Sequence, residues 1–274
     1  MGLVAHLALV SESPSLDAAM LTVVAAALQK QISRDLGPAW DLDGTISAFV
    51  SLEDVPPGFW PVIVRDDIEV DAAGVHCDEN GQPFALVAMG RHWSITASHE
   101  VLEILVDPFG RRLVSGPSLK PEQGRVDYLV EVADPVGDQT YQVNGIAVSD
   151  FYTPRYFDPV RSAGVQYSFT GVIDGPRQVL DNGYLTWHDP VGNEWWQLSR
   201  FVPGPARVDS LGAVLNTPCG VRAAVDRHAE RRRGEKAPAR RYTHESTLAR
   251  EVGDSSRARA ERLRGRVREI VSKR

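Results

Sequence analysis

Ser94-Ile-Thr-Ala-Ser-His-Glu-Val-Leu-Glu-Ile-Leu-Val-Asp-Pro108 reads as a short helix carrying His99, Glu100 and Glu103, stopped by Asp107-Pro108. His99 and Glu103 are four residues apart, so on a helix both project from one face, one turn from each other. An imidazole and a carboxylate so placed can hold a divalent ion. Glu100 between them is then positioned to act on water at that ion. A pattern with a second histidine would read HExxH; here that position is Glu103.

Working outward, residues 3–10 alternate loosely as a first strand, and Ser-Pro-Ser-Leu-Asp leads into a helix over 16–36. Leu16, Met20, Val23, Val24, Ala27, Leu28 and Ile32 carry its helical spacing, and Gly37-Pro38 should end it. Thr45–Val50 and Trp60–Val64 are short β-rich runs on either side of the Pro56-Pro57-Gly58 turn. Gly74–Cys77 and Pro83–Met89 flank Asn80-Gly81, a strong hairpin signal. The His99 helix follows at once. In this order of elements, residues 3–110 resemble the catalytic half of the zincin metallopeptidases. Those proteins pack a backing helix on a twisted sheet whose edge hairpin precedes the active-site helix. The motif of the resemblance rests on His99, Glu100 and Glu103. The segment Ser-His-Glu-x-x-Glu-x-x-x-Asp-Pro is also similar to one in uncharacterised bacterial proteins.

The fold expected is therefore α+β: a zincin-like mixed sheet with a backing helix and an active-site helix over 1–110. A β-rich continuation over 111–205 completes the site, and a linker with a basic helical extension occupies 206–274. Val126–Val132, Tyr141–Val148, Val165–Val172 and Tyr184–Trp187 are the candidate strands of the continuation. Residues 221–274 hold 17 Lys/Arg against 8 Asp/Glu, a balance of +9, whereas residues 1–220 hold 13 against 28, a balance of −15. The basic extension can thus dock on the acidic body of its own chain or meet an acidic protein surface. Nucleic-acid binding ranks behind these, because Tyr242 alone interleaves its arginines. No run reaches the roughly 18–20 apolar residues of a membrane span. The first ten residues lack a signal-peptide pattern, and Cys77 and Cys219 read as two reduced thiols, which together point to a cytoplasmic protein.

A zinc hydrolase needs about three protein ligands and an open position. His99 and Glu103 supply two, and Glu100 is the candidate general base. Glu131, inside the apolar segment Tyr128-Leu-Val-Glu-Val-Ala-Asp-Pro135, is the first choice for the third, since an unpaired carboxylate there would be costly. Asp134 and Asp107 stand behind it as ligands or supporting groups, and Asp150 is a weaker fourth. Asp107 lies about 80° around the helix from His99, but the proline after it favours a helix-end role. His92, Tyr152 and Tyr156 are candidates to touch substrate or a developing oxyanion. His76-Cys77-Asp78 could supply ligands, but it borders a hairpin turn and lacks a paired motif, so it reads as structural, as does His188-Asp189. An oxygen-rich donor set makes zinc a weaker Lewis acid and also admits manganese or calcium. The function expected is metal-dependent hydrolysis of a peptide or amide bond, with metal binding the stronger claim and catalysis the weaker. The alternative is a non-enzymatic assembly or partner-binding protein on the same scaffold, with a structural metal or none.

Overall fold

The computed structural model describes residues 4–68, 72–213 and 220–233. It is a mixed α+β protein. Strands β1 (Ala5–Ser11), β2 (Gly44–Phe49), β3 (Trp60–Arg65), β4 (Gly74–Glu79) and β5 (Gln82–Ala88) form one sheet in the order β2-β1-β3-β5-β4. The first four of that order run parallel, and β4 closes the edge antiparallel to β5. Asn80 and Gly81 both take positive φ, 52° and 76°, as a tight two-residue hairpin requires.

One face of this sheet is covered by helix α1 (Ala18–Lys30) and helix α3 (Trp93–Val106), which also touch each other. Leu7, Leu9, Val62, Val64, Ala85 and Val87 meet them in the main core. The opposite face buries Ile63, Val75, Cys77, Phe84 and Leu86. On α1 the buried stripe is Leu21, Val24, Ala25 and Leu28, while Met20 and Val23, expected inward, are about half exposed.

Gly37-Pro38 does not end the first helix. Residues Gln31–Leu36 widen into a π-helical stretch, and a last turn, α2 (Gly37–Trp40), carries on to Asp41. The Gly37 amide bonds back to the Ile32 carbonyl, an i−5 pairing, and Pro38 sits in the first turn of α2, where its missing N–H is tolerated. The π stretch places Gln31, fully buried, against α3. The Gln31 side chain accepts from the Ser98 hydroxyl at 2.8 Å and donates to the Ser149 carbonyl at 2.9 Å. Ser98 in turn accepts from the Ser149 amide at 3.0 Å, so α3 is pinned on both flanks by polar contacts as well as by packing.

A second, antiparallel sheet runs in the order β12-β11-β10-β7-β6. Its strands are β6 (Leu113–Pro117), β7 (Arg125–Leu129), β10 (Tyr184–Asp189), β11 (Glu194–Ser199) and β12 (Arg207–Gly212). Between them, β8 (Thr140–Val143) and β9 (Ile146–Ser149) make a separate hairpin. The single strand expected over Tyr141–Val148 is thus two, turned by Asn144-Gly145 with φ of 52° and 81°. Val165–Val172 forms no strand beyond an isolated bridge between Tyr152 and Ser168. Helix α4 (Gly220–Arg233) lays Val225 and Ala229 on Leu129 and Tyr184 of the second sheet and also contacts β4. Residues 234–274, most of the basic extension, lie outside the described residues.

Cys77 is disulfide-bonded, which corrects the expectation of two free thiols. The sequence's other cysteine, Cys219, lies outside the described residues. No helix among the described residues is long and apolar enough to cross a membrane.

One glycine fixes the turn that carries an important acid. Gly137 caps the 3₁₀ turn Asp134–Val136 with φ 59° and ψ −125°, a region open to glycine alone, and a Cβ there would strike the Asp181 carbonyl oxygen. Gly137→Ala is expected to lower unfolding free energy by ~2 kcal/mol or more. Urea denaturation that shows no change in midpoint contradicts this reading of the turn.

Candidate metal centre

The α3 sequence buries Ala97, Val101, Leu102, Ile104 and Leu105 and leaves a polar stripe of His99, Glu100 and Glu103 turned toward the second sheet and α4. Glu103 is wholly buried, Glu100 nearly so, and the His99 side chain is 26% exposed. As the helical spacing requires, the His99 Nε2 and Glu103 Oε2 atoms meet at 3.2 Å. Asp134 Oδ1 lies 3.3 Å from the same His99 nitrogen. His99, Glu103 and Asp134 thus bring one donor atom each within 4.8 Å of one another.

Asp134, which stood behind Glu131 in the sequence reading, is thus the acid of that segment that lies beside His99. Glu131 lies just past the end of β7, buried, and points its Oε2 at the Arg222 guanidinium, 2.5 Å away. A buried acid in an apolar segment does have a cationic partner, as its burial demands, but the partner is an arginine from α4. Asp107 borders the cluster, its backbone bonding His76 and its charge acting on Glu131, but its carboxylate is engaged elsewhere. Its carboxylate accepts from the backbone amides of Arg111 at 3.0 Å and Arg112 at 2.7 Å, closing the turn after α3. Asp150 is occupied by the Thr170 amide at 3.1 Å and hydroxyl at 2.6 Å. Tyr152 stacks on Tyr156 with ring centroids 4.2 Å apart, and the Tyr156 hydroxyl donates to the Gln178 carbonyl at 3.0 Å. Both tyrosines are core residues. His92 is exposed on the cleft wall just before α3.

Three residues of this centre stand outside the site that the sequence reading assembled. His76 sits on β4, where Val75 and Cys77 pack on the far face, so alternation turns His76 toward α3. That alternation is the signal that could have found it. Its Nδ1 lies 3.3 Å from Glu100 Oε2 and 3.8 Å from Glu103 Oε2. Arg222, only 2% exposed, touches Glu131, Glu103 and the His76 Nε2 atom, and pairs with Asp226 one turn on at 3.3 Å. Asp226 also accepts from the Tyr184 hydroxyl at 2.9 Å. The spacing Arg222, Val225, Asp226, Ala229 marks one face of α4, but nothing in the sequence says where that face docks.

Five carboxyl groups, Glu100, Glu103, Glu131, Asp134 and Asp226, thus surround two cationic side chains, Arg222 and His99. The protons make up the difference. Burial pushes Glu100 up to about 8, against the pull of Arg222 and His99. Burial and the neighbouring Glu103 push Asp134 up to about 7. Burial alone would raise Glu103 as well, yet His99 and Arg222 hold it well below the usual range. Burial opposes a charged His99, but Glu103 and Asp134 outweigh it and raise the imidazole well above its ordinary value. His76, lowered by burial and by Arg222, is neutral; its Nε2 accepts from Arg222, which leaves Nδ1–H to donate to Glu100.

A cleft of about 570 Å³ opens onto this cluster, lined by Gly74, His92, His99, Glu100, Asp134 and Arg222 among others. Gly74 is needed at its wall, because a Cβ there would come within 2.6 Å of Glu100 Oε1 and of Thr96. No family model matches the chain, and neither a curated protein nor a solved structure matches it.

Glu100 and Asp134 keep protons in the folded protein that the unfolded chain has already lost. Stability from these two groups therefore falls as pH rises from the ordinary carboxylate range to about 8. Glu103, held low, acts oppositely, and its stabilising effect is lost only in acid. Protein stripped with chelator should lose unfolding free energy between pH 5 and about 8, and Glu100→Gln should flatten the decline. Urea titrations in which stability rises across that interval contradict this charge assignment.

Proposed function

We propose that the protein is a divalent-cation-dependent hydrolase of peptide or amide bonds, with the cation held by His99, Glu103 and Asp134. The observation that carries the reading is the convergence of these three donors, at 3.2 and 3.3 Å from the His99 nitrogen, beneath a cleft that Glu100 also lines. The donor set fits a cation. Two carboxylates and one imidazole suit zinc, and the oxygen-rich balance also suits manganese or calcium. The buried carboxyl groups outnumber the cationic side chains among them, a balance that an additional positive charge would relieve.

When bound, such an ion would polarise the scissile carbonyl and acidify water. The chain's own residues supply the rest. Glu100 stands one residue from His99 and faces the cleft; burial holds its proton to about 8, so it would act as a base only once a bound cation's charge drives that proton off, its carboxylate then taking a proton from water and returning it to the leaving nitrogen. His76 donates to Glu100 Oε2 and orients it. Ala133 N–H donates to Glu103 Oε1 at 3.2 Å, which leaves Oε2 facing His99. The cleft is lined by Ala72, Ala73 and Gly74 and by Ala133, Gly137, Asp138 and Thr140. The order of sheet, antiparallel edge strand and following helix supports the resemblance to zincins, and that resemblance favours peptide bonds over other substrates.

A second reading, a non-enzymatic partner-binding protein, draws on Arg222, whose guanidinium already balances part of the acidic cluster. Metal analysis separates the two. Full-length protein purified without added ions should carry about one equivalent of a divalent metal, lost in His99→Ala and in Asp134→Ala. Less than a tenth of an equivalent sinks the hydrolase reading. Glu100→Gln should retain the metal and lose turnover of a fluorogenic peptide mixture by about 100-fold or more. Retained turnover would remove Glu100 from the mechanism.

A further inference from the structure

The Glu103 carboxylate faces two cation positions at once. Its Oε2 atom lies 3.2 Å from His99 on one side and contacts Arg222 Nη2 on the other. Around that guanidinium the structure gathers His76 Nε2, Glu103 Oε2 and Glu131 Oε2, the last at 2.5 Å. All three residues are nearly sealed from solvent, at 1%, 0% and 4% exposure. Through its other nitrogen, Nδ1, His76 also approaches Glu100 Oε2 at 3.3 Å and Glu103 Oε2 at 3.8 Å, and these three residues bring one donor atom each within 4.8 Å of one another.

Glu131 supplies a separate sign. Its Oε1 atom is buried and has no hydrogen-bond partner among the described residues, although its other oxygen is already on the guanidinium. A buried carboxylate oxygen left without a partner is costly and rare. A spherical ion could engage both oxygens of Glu131, which the planar fork of an arginine in this position does not. The donor set, one neutral imidazole nitrogen and two carboxylates, matches the composition of the His99 group.

We propose that His76, Glu103 and Glu131 form a second divalent-cation site, bridged to the first through Glu103, and that Arg222 of α4 occupies it as an internal counter-cation. The inference rests on the proposed His99–Glu103–Asp134 site only through the shared Glu103. A divalent ion and the Arg222 guanidinium exclude each other there. The protein with α4 seated therefore holds one ion, and displacement of Arg222 makes room for a second.

Equilibrium dialysis of the full chain against Zn²⁺, with metal counted per protein, tests this. The wild type should bind one equivalent and Arg222→Met two. In the Arg222→Met background, His76→Ala should remove the second equivalent alone, and Asp134→Ala the first alone. An Arg222→Met protein that binds no more Zn²⁺ than the wild type overturns the second site, as does an extra equivalent that survives His76→Ala. If instead the wild type binds none and Asp134→Ala changes nothing, the first site fails while the His76-dependent equivalent still upholds the second. Should Arg222→Met be insoluble with and without Zn²⁺, Arg222→Gln replaces it, removing the charge while keeping a polar side chain. That variant should gain a His76-dependent equivalent and a rise in Tm with Zn²⁺; neither appearing overturns the proposal.

Discussion

Five carboxyl groups packed out of water around Glu103 are the constraint on which the rest of this structure depends. Charges so placed are tolerated only when paired, protonated or bound to an ion. All three solutions are visible or implied here. Arg222 and His99 pair with Glu103, Glu100 and Asp134 hold their protons to about 8 and 7, and His99, Glu103 and Asp134 form a group that could hold an ion. No single element could support such a cluster. Glu100 and Glu103 come from α3, His76 from β4, Glu131 and Asp134 from the segment after β7, and Arg222 and Asp226 from α4.

That convergence explains much of the architecture. The parallel core of the first sheet fixes α3 against β3, β4 and β5, while the Gln31–Ser98–Ser149 contacts fix it against the first helix and the β8–β9 hairpin. Breaking the acid–arginine contacts by removing one partner would expose an uncompensated buried charge, an effect of about 3–5 kcal/mol in other proteins. The centre is therefore at once a functional candidate and a structural keystone.

Local signals carried the sequence reading a long way. The helical spacing of α3, the Asn80-Gly81 hairpin and the order strand, helix, strand, strand, hairpin, helix all correspond to elements of the fold. The pairing of His99 with Glu103 follows from the 3.6-residue turn, and the segment between Tyr128 and Pro135 does bring an acid beside His99. The first choice within that segment, Glu131, is not that acid, because the 3₁₀ turn after β7, capped by Gly137, aims Asp134 at His99. Burial of Glu131 was legible; the identity of its partner was not. Arg222 lies 119 residues from Glu103 and 91 from Glu131, and no periodicity reports a contact over such distances. The passage of the first helix through Gly37-Pro38 was hidden for a related reason: a π stretch depends on the buried partners of Gln31, which belong to other elements.

The most direct measurement is a crystal structure of the full chain grown with Zn²⁺, with anomalous diffraction recorded at the zinc edge. A cation site at this centre predicts an anomalous peak about 2.0–2.2 Å from His99 Nε2 and from a carboxylate oxygen of both Glu103 and Asp134. A map with Zn²⁺ present in the crystal but no peak among these three residues, His99 remaining hydrogen-bonded to both acids, would contradict it.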